Sequence, residues 1–378
     1  MVERIKLLRR YSIFAVWLFM FSLGQITHAS TLVVGTCKAG TSFSKIQLAV
    51  NAAPPGSTID VCPGTYPEQV TIAESLTLQG VVSANSARAV ITVPAGGFKV
   101  VTSVFTTISV APQVLVRVGQ VNITNITVDG AGNTLNGSEY LVGIFYETGS
   151  SGVVKGVTTR NQINANLGVG IWAENGSNTS HSVTIENSSV FSVDDFGILV
   201  GSNQTPPSLT AAVQQNTVQA NNIGIVEYGS GGTVTNNLVI TGPGGSAGIY
   251  LAPGSTGSAS NNTVLVTPNG IYVSADGFSV KSNLLWDTNG AAVLLSTKGA
   301  IVESNTITLA NIGIKFSCST ATVSNNFIRD STTGLDGVPS SVVSVNSYDN
   351  VDTIRTGGCA AAAQEQPALA IFPPTTAR

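Results

Sequence analysis

The sequence predicts an all-β chain, a right-handed single-stranded parallel β-helix built from three-strand coils, and three observations predict it. The pattern apolar-x-x-Asn-x-aliphatic recurs as Val213…Asn216…Val218, Val234…Asn237…Val239, Ala259…Asn262…Val264, Val280…Asn283…Leu285, Val302…Asn305…Ile307 and Val323…Asn326…Ile328, with a period of 21 to 25 residues. A fixed period of this size marks a repeat architecture. A second mark keeps the same phase, a glycine followed by an apolar residue at Gly143, Gly170, Gly197, Gly224, Gly248, Gly270, Gly290, Gly313 and Gly334. Third, only 10% of the 378 residues are charged while glycine numbers 40, and the short runs between turns are rich in Val, Ile and Thr, which suits strands rather than surface helices. Each repeat is too short for a βαβ unit, so it reads as one coil stacked on the next.

The elements follow in order. Arg4, Lys6, Arg9 and Arg10 precede an apolar run from Ile13 to about Ile26 that ends in Thr27-His28-Ala29, the pattern of a signal peptide over residues 1–29. Residues 30–57 read as an N-terminal cap. Within it Ser42 to Ala53 spaces Phe43, Ile46, Leu48 and Val50 roughly as a helix does, and Pro54-Pro55-Gly56 stops the run. A cap is needed because an uncovered coil leaves open strand edges and a bare apolar core. The β-helix is expected over residues 58–340, and a C-terminal cap with a flexible tail over 341–378. Asn at the repeat position is expected to take the left-handed backbone of a sharp bend and to bond its amide to the Asn of the next coil, forming an internal ladder.

Removing residues 1–29 takes four basic residues from 17 and Glu3 from 20, leaving 13 Lys+Arg against 19 Asp+Glu, a net of −6. Such a surface has no basic field to hold nucleic acid phosphates, and no later segment is long and apolar enough to span a membrane. The export signal places the chain in the periplasm or outside the cell, where Cys37, Cys62, Cys318 and Cys359 are expected as disulfides. Four cysteines allow three pairings. Cys37–Cys62 and Cys318–Cys359 are favoured because each pair brackets one end of the array.

The stretch Ile46 to Gly80, with Val61-Cys62-Pro63-Gly64-Thr65-Tyr66-Pro67-Glu68 and Leu76-Thr77-Leu78-Gln79-Gly80, resembles the opening of pectin-lyase-like β-helix proteins. The Asn-rich coils are similar to right-handed β-helix repeats of that superfamily. The resemblance covers roughly residues 32–340 and implies the fold; its members include pectate lyases, polygalacturonases, pectin methylesterases, uronate epimerases and non-catalytic surface proteins.

By strand alternation the residue after each marking glycine faces the core and the next one faces out. The outward column is then Phe145, Trp172, Leu199, Val226, Tyr250, Tyr272, Ala292 and Lys315, and its aromatics suit stacking on sugar rings. The longest connections, Glu174–Ser182 and Gly201–Ala212, flank one part of this wall and would shape a groove over residues 145–212. Near it fall Glu147, Lys155, Arg160, Glu174, His181, Asp194 and Asp195. Asp194 and Asp195 are the sharpest catalytic candidates, since two carboxyls can protonate a leaving oxygen and activate water, or hold Ca²⁺ together with Glu147. Arg160 or Lys155 is the candidate base of a lyase. Phe145, Glu147, Trp172, Glu174, Tyr250 and Tyr272 are the expected substrate-binding residues.

Departures from the superfamily's enzymes are serious. Gly-His-Gly is missing, and the one Arg-Ile-Lys is Arg4-Ile5-Lys6; Asp195-Phe196-Gly197 is a poor echo of the methylesterase block, and neither Asp-Pro-His-Asp nor the His and Met clusters of copper-binding relatives occur. The sequence therefore reads as an exported β-helix that binds and can process a polysaccharide, as a lyase or glycoside hydrolase; the alternative is a non-catalytic surface, adhesive or structural β-helix. No cofactor is required by this reading; Ca²⁺ is the one ion such a site could hold.

Overall fold

The computed structural model describes residues 29–39, 42–83, 87–316 and 320–357. The expected signal peptide, the Cys318–Cys359 pair and the tail beyond residue 357 lie outside the described residues.

The chain winds into stacked coils of three strands. Gly231–Thr235, Leu238–Thr241 and Ala247–Leu251 make one coil, and Thr256–Ser260, Thr263–Thr267 and Ile271–Val273 make the next. They pair in parallel with like on like: Val234 beside Ala259, Val239 beside Val264, Ile249 beside Ile271. One face is a 13-stranded sheet, and the other two faces run together as a sheet of 21 strands. A two-residue strand, Val101–Thr102, pairs antiparallel with Val110 and Ser109. Inward positions form one continuous apolar core from Leu32 to Val338, as a repeat that cannot bury its own face requires.

The Asn ladder forms. Asn262 donates from Nδ2 to Val234 O (2.9 Å) and Asn283 Oδ1 (3.0 Å), while its Oδ1 accepts from the N–H and Nδ2 of Asn237 at 3.0 Å each. Equivalent bonds link Asn216, Asn237, Asn283, Asn305 and Asn326 and continue to Asn346 (2.9 Å), one coil beyond the sequence pattern. At the other end Asn216 accepts from Ser188 N–H and Ser188 Oγ from Val157 N–H, so serine replaces asparagine there. One expectation is corrected. The left-handed residue is the one before each ladder Asn, namely Gln215, Asn236, Asn261, Ser282, Ser304 and Asn325 at φ 55° to 58°. The bend is taken one position early, leaving the ladder Asn to point its amide along the axis.

The cap helix spans Ile46–Ala52, shorter than expected, with Ile46 and Ala49 buried and Leu48 exposed rather than packed. Its N-cap, Lys45, offers no side-chain bond. Glu68 supplies the carboxylate instead, accepting from Ile46 N–H (2.9 Å) and Gln47 N–H (3.1 Å), which also matches the helix dipole. Thr31–Val34 already pairs with Thr58–Val61, so the cap region is part of the first sheet, not separate from it. Cys37 and Cys62 are bridged as expected, with Cα atoms 5.6 Å apart. At the far end Ser347–Thr356 still pairs with Phe327–Asp336, so the β-helix runs to residue 356 rather than stopping at 340. Among the described residues no helix is long and apolar enough to cross a membrane.

Candidate functional site

Alternation places the outward column as expected through Tyr272, but its side chains are not exposed. Ile144, Ile171, Ile198, Ile225, Ile249 and Ile271 face the core, while Phe145, Trp172, Leu199, Val226, Tyr250 and Tyr272 form a second apolar layer outside it. Phe145, Trp172 and Tyr250 are fully buried and Tyr272 is 4% exposed. Phe145 packs on Trp172 (ring centroids 5.1 Å) and Tyr250 on Tyr272 (5.0 Å). After Gly290 the register shifts, so Ala292 enters the core and Leu294 takes the outward place. Part of the covering layer is the segment around residues 101–108. Phe105 meets Tyr228 edge-on at 5.3 Å, and a Cβ on Gly201 would lie 2.4 Å from its ring. The expected open aromatic groove over residues 145–212 is thus a packed layer.

Glu174 belongs to that packing. Its carboxylate accepts from Ser103 Oγ and from Val104 N–H (2.9 Å), tying down the covering segment. Burial pushes it up to about 7, against the pull of those bonds. Glu147 is ion-paired with Arg117 (3.0 Å). In register it sits level with Glu174 and Gly201, whereas Asp195 sits level with Leu141 and Gly168. Six strand residues, about 20 Å at ~3.3 Å each, separate the two levels, so Glu147 cannot complete a Ca²⁺ site with the Asp pair. Among the described residues no three His, Cys, Asp or Glu side chains gather as metal ligands. Arg160 is held by Asp129 (2.7 Å) and Lys155 by Glu186 (2.8 Å); neither lines the cavity described next.

Asp194 and Asp195 occupy the bend just before Phe196–Ser202 and line an open cavity of about 500 Å³ with Asn166, Asn221, Asn222 and Gly242–Gly244. Their side chains diverge in role. Asp194 Oδ2 accepts from Asn164 N–H (2.8 Å) and Asn166 N–H (3.1 Å), and Oδ1 from Asn221 Nδ2 (3.4 Å). Asp195 Oδ1 accepts from Asn222 Nδ2 (2.7 Å), and Tyr140 O–H donates to its Oδ2 (3.1 Å). Burial pushes the Asp195 carboxyl up to about 7; the Asn222 and Tyr140 bonds pull it back, and the neighbouring Asp194 charge adds to the rise. Burial, with Asp195 adding, raises the Tyr140 phenol as well. One carboxyl that carries its proton near neutrality beside another met only by N–H donors is the arrangement an acid and a base need.

Sequence reasoning missed Tyr140, Asn166, Asn221 and Asn222. A signal for two of them exists: Asp194-Asp195-Phe196-Gly197 and Asn221-Asn222-Ile223-Gly224 occupy the same repeat position, so the amides stack on the acids. Tyr140 also packs edge-on to Trp172 at 6.2 Å, joining the acid pair to the aromatic layer by a route no local spacing reveals.

Comparison with known proteins agrees with this architecture. The family profile described as periplasmic copper-binding protein (NosD) matches residues 208–356, the regular Asn-ladder coils. The DFA-IIIase of Arthrobacter chlorophenolicus A6, solved in complex with DFA-III, is 15% identical over 86% of each chain with a TM-score of 0.52. A double mutant of the periplasmic alginate epimerase AlgG is 10% identical over 82% of this chain and 83% of that one (TM-score 0.48). The Dettilon tailspike protein is 14% identical over 80% of this chain (TM-score 0.49), and this chain spans 63% of its length. No curated protein matches significantly. The DFA-IIIase likeness agrees with the stacked parallel coils, and the fold class is the right-handed parallel β-helix. Copper does not fit the residues present: it is held by imidazole, thiolate and thioether groups, and residues 208–356 contain no histidine, no methionine and one cysteine, Cys318.

Proposed function

We propose that the protein is an exported β-helix that binds a polysaccharide in the Asp194–Asp195 cavity and hydrolyses a glycosidic bond there. The observation that carries this reading is the pair itself: adjacent carboxyls on one cavity wall, Asp195 raised to about 7 and Asp194 bonded as an acceptor. Asp195 donates its proton to the oxygen of the departing sugar as that C–O bond breaks. Asp194 takes a proton from the water whose oxygen forms the new bond to the same carbon, so one water is consumed. Tyr140 and Asn222 hold the acid in place. A lyase reading is weaker, since Arg160 and Lys155 each have a carboxylate partner.

One observation favours the non-catalytic alternative. Asp194 also fastens the turn at Asn164 and Asn166, a task that requires no substrate. Incubating the full chain with plant and bacterial glycans, with and without Ca²⁺, separates the readings. New reducing ends that vanish in Asp195→Asn support hydrolysis, ultraviolet-absorbing unsaturated ends support a lyase, and binding without products supports the alternative.

A further inference from the structure

We propose, resting on the hydrolase reading of this cavity, that its substrate is an uncharged sugar chain and that polyuronates and other acidic glycans are rejected. Two independent observations converge. The cavity is lined by carboxyls and amides, with Asn166, Asn221 and Asn222 beside the two acids and no lysine or arginine among its walls. Amides suit sugar hydroxyls, since each offers both donors and an acceptor.

The second observation concerns the coils that build it. Between Arg160 and Lys281 the chain has no lysine or arginine, while it carries Glu174, Glu186, Asp194, Asp195, Glu227 and Asp276. The cations flanking that stretch are already committed: Arg160 to Asp129 (2.7 Å), Lys155 to Glu186 (2.8 Å), Arg117 to Glu147 (3.0 Å) and Lys281 to Glu303 (3.0 Å). A uronate carboxylate entering the cavity would face Asp194 at short range with no counter-charge among the walls. A neutral ring meets no such cost. Its hydroxyls find the Asn221 and Asn166 amides, and Asp195 keeps its proton for the leaving oxygen.

Chemically matched chains test the charge alone. Binding of the full chain would be measured by affinity electrophoresis in polygalacturonate and its fully methyl-esterified form, in alginate and its carboxyl-reduced form, and in neutral glucans, galactans and fructans. The expected result is retention by one or more neutral chains and at least tenfold weaker retention by the carboxylate partner. That gap should shrink as salt rises towards ~0.5 M, where charges a few ångströms apart are screened. Asn221→Lys, at an exposed position and checked for an unchanged melting profile, should narrow the gap further. Equal or tighter retention by the carboxylate forms overturns the charge inference and leaves hydrolysis at the site standing. Retention by no chain, neutral or acidic, overturns the polysaccharide reading itself.

Discussion

Two polar ladders climb this β-helix at different corners, and they differ in what they leave over. Along the interior, Asn216 to Asn326 repeat one residue type, are at most 2% exposed, and turn both amide donors and the carbonyl onto neighbouring coils. At the other corner the rungs change chemistry: Asp195 to Asn222 (2.7 Å), Asn222 to Ser246 (2.6 Å), Ser246 to Asn269 (2.9 Å), Asn269 to the Ala291 N–H (3.2 Å). There the column opens on a cavity. A ladder of identical, saturated rungs specifies register and stability. A ladder whose rungs vary, with acids at the open end, has chemistry to spare.

The largest expected effect breaks the second ladder at its acid. Asp195→Asn should keep the fold, since Asn can still pair with Asn222 and Tyr140, while turnover falls about 10²- to 10⁴-fold with the loss of a proton donor. On the hydrolase reading, the rate of the parent protein should also decline as pH rises through about 7 and Asp195 ionises. A pH–rate profile that stays flat there would separate this acid from the chemistry. Next comes the first ladder. Asn262→Leu takes a bond from Val234 O and from the N–H and Nδ2 of Asn237, and leaves the Asn283 Oδ1 with the backbone N–H of residue 262 alone. Each buried orphan costs about 1–3 kcal/mol, so denaturant melts should show a loss of roughly 4 kcal/mol or more. An unchanged midpoint would remove the ladder as a stabilising device.

What the sequence makes legible follows the same division. The interior ladder can be read because its cause is local and periodic: one residue type, one spacing, one neighbour above and below. Cys37–Cys62 is legible from its position at the array's end. Alternation gives the outward column its direction correctly and its exposure wrongly, because covering comes from elsewhere in the chain. Phe105 reaches Gly201 and Tyr228 across roughly a hundred residues, which alternation along a strand cannot report. Asp194 and Asp195 are visible as an acidic pair, yet what distinguishes them is not. Tyr140, 55 residues upstream, and Asn222, one coil later, give Asp195 its surroundings. The Ca²⁺ grouping with Glu147 fails because nearness in sequence phase ignores position along the strand.

Glu227 sharpens the contrast between saturated and unsaturated polar groups. It lies in register between Val200 and Leu251, both core residues, is fully buried, and neither carboxyl oxygen has a hydrogen-bond partner among the described residues. Burial alone pushes it up to about 8. The folded protein therefore keeps this proton up to about pH 8, while the unfolded chain releases it near ~4.3. The protonated acid's contribution is present in full below pH ~4.3 and is lost as pH rises to about 8. Each pH unit between those two values is worth ~1.4 kcal/mol at most, so an unfolding series across that window should lose about 2–4 kcal/mol. Glu227→Gln should flatten the profile. A parent protein as stable at pH 8.5 as at pH 5 would mean that the carboxyl is solvated or paired.

The smallest effect belongs to Glu147, and its smallness is informative. Its carboxylate meets Arg117, whose side chain is half-exposed, and such a surface pair is worth about 0–1 kcal/mol because water screens it and two long side chains must be ordered. Its level on the strand lies about 20 Å from the Asp pair at ~3.3 Å per residue. Glu147→Gln should therefore leave melting within ~1 kcal/mol of the parent and turnover within about twofold, since the charge stands well beyond the ~10 Å screening length at 0.1 M salt. Any dependence on Ca²⁺ should survive the substitution unchanged. If added Ca²⁺ raises turnover in the parent and not in Glu147→Gln, the strand-level separation is wrong as a guide to the site. The acid pair would then have to be considered together with the far corner of the coil.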